Sequence, residues 1–290
     1  MAREGEDADR DGARDGLRAS GRPAAVGPVA VGSAVTVAVA DTRDVLALPG
    51  ADPSILTPAE SLRLAAARTR TARADFVAAR FLVRLCAAHR TGGTPRDVVL
   101  EQRCPHCGGP HGRPRVAGMP AVRISLSYAD GVVAAAAADR PVGIDVERLR
   151  DGGVPGPGIR TLRRFVTPGE VARIRGSPVP AHAVLGTWVR KEALVKASGD
   201  GLPAMAGLDL SALPVAPCAG GGPYRIRVPG RREPYDLTDL AGLPPAVAGA
   251  VAVVAPAVPD RTPALPATRC ALSPDLDEPF DTPSHQGDTP

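Results

Sequence analysis

Helices and strands are both written into this 290-residue sequence, but its strand signals come in clusters instead of alternating regularly with helices. That pattern predicts an α+β fold rather than a doubly wound parallel sheet. Two kinds of signal carry the prediction: runs of Val, Ala and Thr with a period of two, and Thr-x-x-Glu start signals that mark helix N-termini.

The elements follow in order. Residues 33–40 (SAVTVAVA) alternate as a strand should. Thr57-Pro-Ala-Glu60 is a capping box with proline at the first helical position, and apolar residues recur at helical spacing from Phe76 through Cys86, so two helices are expected. A strand-like VVLEQ (98–102) leads into a Gly/Pro/Cys loop, and three β-like runs follow at 122–127, 132–138 and 142–147. Thr167-Pro-Gly-Glu170 is a second capping box. A longer helix is predicted from about 181 to 198, stopped by Gly199, and YRIRV (224–228) and VAGAVAVVA (247–255) complete the core. Residues 1–32 and 256–290 are expected to be disordered tails, the second because proline and acid exclude a packed core.

Composition narrows the function. No run reaches the ~20 apolar residues of a membrane span, and the charged start lacks an apolar signal core, so a soluble cytoplasmic protein is expected. Five cysteines, an odd number, argue against a disulfide framework. The formal charge of +4 suits anionic ligands, but no basic block is interleaved with stacking aromatics, so nucleic acid is not expected. Of the 35 basic side chains only two are lysine, Lys191 and Lys196, in a chain that otherwise uses arginine. A compact ammonium against a phosphate is a role that arginine does not fill equally well.

Four constellations carry possible chemistry. In Gly143-Ile-Asp145-Val-Glu147 the strand period puts both carboxylates on one face, a hard oxygen pair suited to Mg²⁺ or Mn²⁺, or else a solvated strand end. On the predicted helix Trp188, Glu192 and Lys196 are spaced by four and share a face, offering a third carboxylate and an ammonium, or else a surface ion pair worth roughly 0.3 kcal/mol. Cys104-Pro-His106-Cys107 with His111 looks like half of a zinc site, but no second ligand pair lies elsewhere, so zinc is not expected and a turn presenting Arg113 is. Arg68, Arg70 and Arg73, beside Arg80 and Arg84, form either a solvated helix face or a fork for a terminal phosphate, and Ser125 and Ser127 end a strand facing one way.

Taken in this order, GIDVE and WVRKEALVKASGDGL, about 40 residues apart, resemble the two signature motifs of the 4′-phosphopantetheinyl transferases of the larger, two-subdomain Sfp type. The upstream pieces agree: the arginine-rich helix, Gly112-Arg-Pro114, and SLSYAD just before GIDVE. The Cys104–His111 loop resembles a variant of actinobacterial-type members. The resemblance implies two similar-sized α/β subdomains forming a pseudo-dimer, 33–140 holding the coenzyme A nucleotide and 141–255 the metal and catalytic motifs, with the active site in the cleft between them. It implies Mg²⁺ held by Asp145, Glu147 and Glu192, and Lys196 on the phosphates. Glu192, or a water it orients, would take the acceptor proton, and Arg70, Arg73, Arg113, Ser127 and Tyr128 would contact coenzyme A. The reaction implied is transfer of 4′-phosphopantetheine to a serine of an apo acyl or peptidyl carrier protein, in polyketide, nonribosomal peptide or fatty acid synthesis, by a monomer. Tyr128 stands where the family usually has histidine; a phenol cannot become cationic near neutral pH, so weaker coenzyme binding is expected, with the chemistry retained. A metal-dependent phosphohydrolase or nuclease using the same carboxylates, and a zinc-stabilised binding module on the cysteine loop, are the rival readings.

Overall fold

The computed structural model describes residues 29–31, 35–104, 107–110, 112–149, 164–215, 221–244 and 246–256. His106, His111 and nearly all of the two expected tails lie outside the described residues. The elements are β1 (Val29–Val31), β2 (Val35–Asp41), α1 (Thr42–Leu46), α2 (Pro58–Ala66), α3 (Arg70–Thr91), β3 (Leu100–Gln102), β4 (Pro114–Val116), β5 (Arg123–Ala129), β6 (Val132–Ala138), β7 (Val142–Arg148), α4 (Pro168–Arg175), α5 (Pro180–Ser198), β8 (Tyr224–Ile226), β9 (Tyr235–Asp239) and β10 (Val247–Val254). β1 falls within the segment expected to be a tail and pairs antiparallel with β2.

Helix ends sit where the local chemistry puts them. Both capping boxes are formed: Thr57 with Glu60 starts α2 and Thr167 with Glu170 starts α4. α3 and α5 stop at Gly92 and Gly199, with φ of 73° and 79°, the left-handed conformation that releases a helix. β5 and β6 are joined through Asp130 and Gly131, both with positive φ, as a two-residue hairpin turn requires.

The strands form two four-stranded sheets, β1-β2-β6-β5 and β7-β10-β9-β8, and a small β3-β4 ribbon. Three apolar clusters order the layers. Phe81, Leu82 and Cys86 of α3 pack on Ala135 and Ala137 of β6. Ala134, Ala136 and Ala138, on the other face of β6, meet Val142, Ile144 and Val146 of β7. Leu185, Val189 and Leu194 of α5 cover Ala250 and Ala252 of β10 in the second sheet. The layer order is α3, first sheet, second sheet, α5. β6 is buried on both faces, which is why its Val/Ala run shows no polar alternation. No helix among the described residues is long and apolar enough to cross a membrane.

β7 lies against α5 with almost no gap. A Cβ on Gly143 would come 2.0 Å from the Ala193 carbonyl oxygen and 2.4 Å from the Ala197 nitrogen, so only glycine lets the strand backbone touch the helix backbone. Buried charges brace the layers. Arg84 holds Glu60 across α3 and α2 at 2.5 Å, and Arg190 of α5 grips both carboxylate oxygens of Asp239 on β9 at 2.8 and 2.7 Å. The edge strands β5 and β7 are stitched by side chains: the Ile144 N–H donates to Ser125 Oγ at 3.1 Å, and Ser127 Oγ donates to Asp145 Oδ1 at 2.7 Å.

Candidate active site

The close approach of β7 and α5 brings their polar faces together. Asp145 is only 3% exposed, which excludes the solvated-strand reading. Its Oδ1 accepts from Ser127 Oγ and, at 2.6 Å, from Lys196 Nζ, while its Oδ2 is buried with no hydrogen-bond partner. The Lys196 ammonium also donates to Ser127 Oγ and to the Ile144 carbonyl, both at 3.2 Å, and its side chain is 32% exposed. The helical spacing of four puts Glu192 and Lys196 on one face, but the ion partner of Lys196 is Asp145 across the layers.

Charge accumulates here without full neutralisation. Burial first, then the Asp145 charge, push Glu147 up to about 7; Lys196 opposes them, and Glu192 adds to the rise. The Trp188 indole N–H lies near enough to pull Glu147 slightly down, yet it makes no hydrogen bond of normal geometry. Glu192 is raised by burial and by Asp145, against Lys196. Desolvation draws the Lys196 ammonium down, but Asp145, Glu192 and Glu147 outweigh it and hold the group cationic.

Glu147 and Glu192, each raised by burial and by the Asp145 charge, and the unpaired buried oxygen of Asp145 are hard oxygen donors of the kind that suits a divalent cation. Among the described residues no three His, Cys, Asp or Glu side chains are drawn close enough together to hold an ion. The Lys196 ammonium takes Asp145 instead. On the cysteine loop, Cys104 is buried, Cys107 is exposed, and Cys107 Sγ accepts from the Gly109 N–H at 3.4 Å.

A cavity of about 440 Å³ adjoins this group, lined by Glu192 and Lys196 and by Arg63, Arg80 and Arg113. Arg113 is fixed in place: Nη1 donates to the Ala197 carbonyl at 3.2 Å and Nη2 to the Val142 carbonyl at 3.0 Å, tying its loop to the ends of both signature elements. Arg80 is 3% exposed and stacks over the Phe76 ring at 4.9 Å, and its Nε and Nη1 are buried without a hydrogen-bond partner. Desolvation lowers it to about 10 against the pull of Glu60, so it remains a cation at neutral pH. Gln102 Oε1 accepts from Arg63 and from Arg80 Nη2, which fixes the two forks side by side.

Arg70 and Arg73 lie elsewhere. Both are exposed on the first turn of α3, where Arg73 Nε donates to the Ala67 carbonyl, and neither lines the cavity. Arg80 follows Arg73 by seven residues and so shares its helix face two turns deeper, a periodicity that pointed toward it. Nothing in the local sequence marked Arg63. Tyr128 is 39% exposed and borders both the main cavity and a smaller one of about 190 Å³ that Glu147 also lines. Ser127 lines neither.

Residues 141–241 match the family model of the 4′-phosphopantetheinyl transferase superfamily. The chain carries a domain of this superfamily. The matched stretch runs from β7 through β9 and contains the acidic trio and both lysines of the phosphopantetheinyl transferase domain, whereas the arginines of the cavity precede it. No curated protein matches the chain. The transferase domain also accounts for Lys191, to which the sequence assigned no task. Its Nζ pairs with Glu170 Oε2 at 2.7 Å and donates to the Phe165 and Met205 carbonyls, so it braces α5 from behind.

Proposed function

We propose that the chain transfers the 4′-phosphopantetheine group of coenzyme A to a serine hydroxyl of an apo acyl or peptidyl carrier protein and releases 3′,5′-ADP, as a transferase of the two-subdomain Sfp type. The observation that carries this reading is the adjacency of two opposite charge sets: an acidic trio of buried Asp145 and half-buried Glu147 and Glu192, and a cavity lined by Arg63, Arg80 and Arg113 together with Lys196. A substrate that carries both a nucleotide phosphate and a pyrophosphate fits those charges.

In this reading the three guanidiniums bind the nucleotide phosphates, and Nη1 of Arg80, buried without a hydrogen-bond partner while Nε pairs with Glu60 at 3.6 Å, is the donor with capacity to spare. Lys196, a third exposed, turns its ammonium from Asp145 to a phosphate oxygen. There it stabilises the charge that builds on the leaving ADP. Glu192, whose carboxyl burial makes more basic, accepts the serine proton as the hydroxyl oxygen bonds to phosphorus and the bond to the bridging oxygen breaks. A divalent cation held by Asp145, Glu147 and Glu192 would add charge neutralisation on the pyrophosphate. The net charge of +4 favours an acidic partner surface.

The test is incubation with coenzyme A, Mg²⁺ and several apo carrier proteins, read as the phosphopantetheine mass increment on the acceptor. No increment on any of them overturns the proposal.

A further inference from the structure

Two guanidiniums of the cavity wall come from different helices and meet at one neutral side chain. Arg63 belongs to α2, Arg80 to α3, and Gln102 ends β3; all three line the main cavity. Gln102 Oε1 accepts from Arg63 Nη1 and, at 3.1 Å, from Arg80 Nη2, while its Nε2 donates to the Gly112 carbonyl at 2.7 Å. The amide can face only this way, because guanidiniums only donate and a carbonyl only accepts. Both guanidiniums also lie against the Phe76 ring, 5.8 and 4.9 Å from its centre.

Like charges held side by side repel. Burial, opposed by Glu60, lowers Arg80, and the Arg63 charge lowers it further. An amide oxygen has two lone pairs and no net charge, so it fixes the spacing of the two cations and leaves both charges in place. A carboxylate in its position would hold them too, but would cancel one charge. The nearby acids do not play this part: Glu60 makes its closest contact with Arg84 and meets Arg80 at 3.6 Å through Nε, and Glu101 is exposed on the opposite face of the strand. The third cation is tied in through the same amide. Gly112 adjoins Arg113, and its φ of 99° together with a Cβ position 3.4 Å from the Cys104 Cα restricts that carbonyl to a backbone suited to glycine.

We infer that Gln102 is a positioning residue of the coenzyme site: it sets the spacing of Arg63 and Arg80 and links both to the Arg113 loop, so that the wall keeps its shape and its full charge for a phosphate-bearing ligand. The inference rests on the transferase reading above for the identity of that ligand, and it names what arranges the cations that meet it.

The test is binding of 3′,5′-ADP to the full-length chain without metal, at several salt concentrations, in wild type, Gln102→Leu and Gln102→Glu. Gln102→Leu, which loses the acceptor, should bind at least about tenfold more weakly with the salt dependence of wild type. Gln102→Glu, the same size as the native side chain, keeps the acceptor but removes one net positive charge, so its affinity should also fall and should depend less steeply on salt. In carrier modification both variants should raise the KM for coenzyme A and leave kcat within about twofold. Unchanged affinity in Gln102→Leu, a salt dependence of Gln102→Glu equal to that of wild type, or a loss confined to kcat overturns the inference while the transferase reading stands. A wild-type chain that neither binds 3′,5′-ADP nor modifies a carrier protein overturns both.

Discussion

Lys191 and Glu170 form an ion pair with Nζ and Oε2 2.7 Å apart and side chains 1% and 2% exposed. The same Glu170 carboxylate closes the capping box of α4 and accepts the Leu210 N–H, so one acid fixes a helix start, a loop and α5 together. The two lysines of the chain should therefore fail in different ways. Lys191→Met strands a buried carboxylate and should lower folding stability by about 3–5 kcal/mol, and Lys191→Arg should overpack the site at a cost of about 1–3 kcal/mol. Lys196→Arg should leave stability within about 1 kcal/mol and cut carrier modification at least about tenfold, because a fork does not replace a point charge. Urea melts and turnover rates on the three variants check this; equal stability of the Lys191 variants and wild type would refute it.

Gly143 sets the distance between the strand of acids and the helix of lysines. Gly143→Ala places a methyl inside the Ala193 carbonyl and the Ala197 nitrogen, and two packed backbones have no rotamer with which to yield. The variant should lose more than about 4 kcal/mol, the range reserved for severe core lesions. A cooperative melt within 1 kcal/mol of wild type would show that β7 and α5 stand further apart.

Coenzyme binding should follow the cavity and not the exposed turn. Arg80→Met should raise the KM for coenzyme A at least about tenfold, in keeping with the loss of a charge-assisted bond worth about 1.5–3 kcal/mol. Arg70→Ala should change it less than about twofold, since an exposed guanidinium is screened by solvent. The reverse order would return the phosphate contact to the first turn of α3.

Cys86 of α3 offers a pH test remote from the site. Burial pushes its thiol up to about 12, against a small opposing contribution from the Ala38 backbone. The folded value is raised above the unfolded 9.0, so the unfolded chain loses its proton first as pH rises. The stability contribution is complete below pH 9 and disappears between 9 and about 12, at about 1.4 kcal/mol per unit. Urea melts at pH 8, 10 and 11 should show the gap between wild type and Cys86→Ala narrowing with pH. A constant gap would contradict the shift.

Local rules made much of this architecture legible in the sequence. The capping boxes and terminal glycines placed α2, α4 and α5 because these signals act within a few residues. β9 was hidden for the opposite reason: Tyr235-Asp-Leu-Thr-Asp239 alternates in burial, but Asp239 is a core position, where Arg190 pairs with it from 49 residues away. Likewise the acidic trio and Lys196 were readable from motif spacing, whereas the place of Arg63 and the hydrogen bonds that Asp145 accepts exist only once α2, β5 and β7 have been brought together. Polar residues whose meaning comes from a distant partner carry no local signal.

β6 separates the α3 layer from the second sheet, and from Ala134 to Ala138 every side chain on it is a single methyl. The strand acts as a spacer gauge: its thickness determines how far the Arg80 wall of the cavity, carried by α3, stands from the carboxylates carried by β7. Enlargement on either face, such as Ala136→Val toward β7 or Ala135→Val toward α3, would push the two walls apart without touching a charged group. The reach of the site would then no longer match a ligand of fixed length.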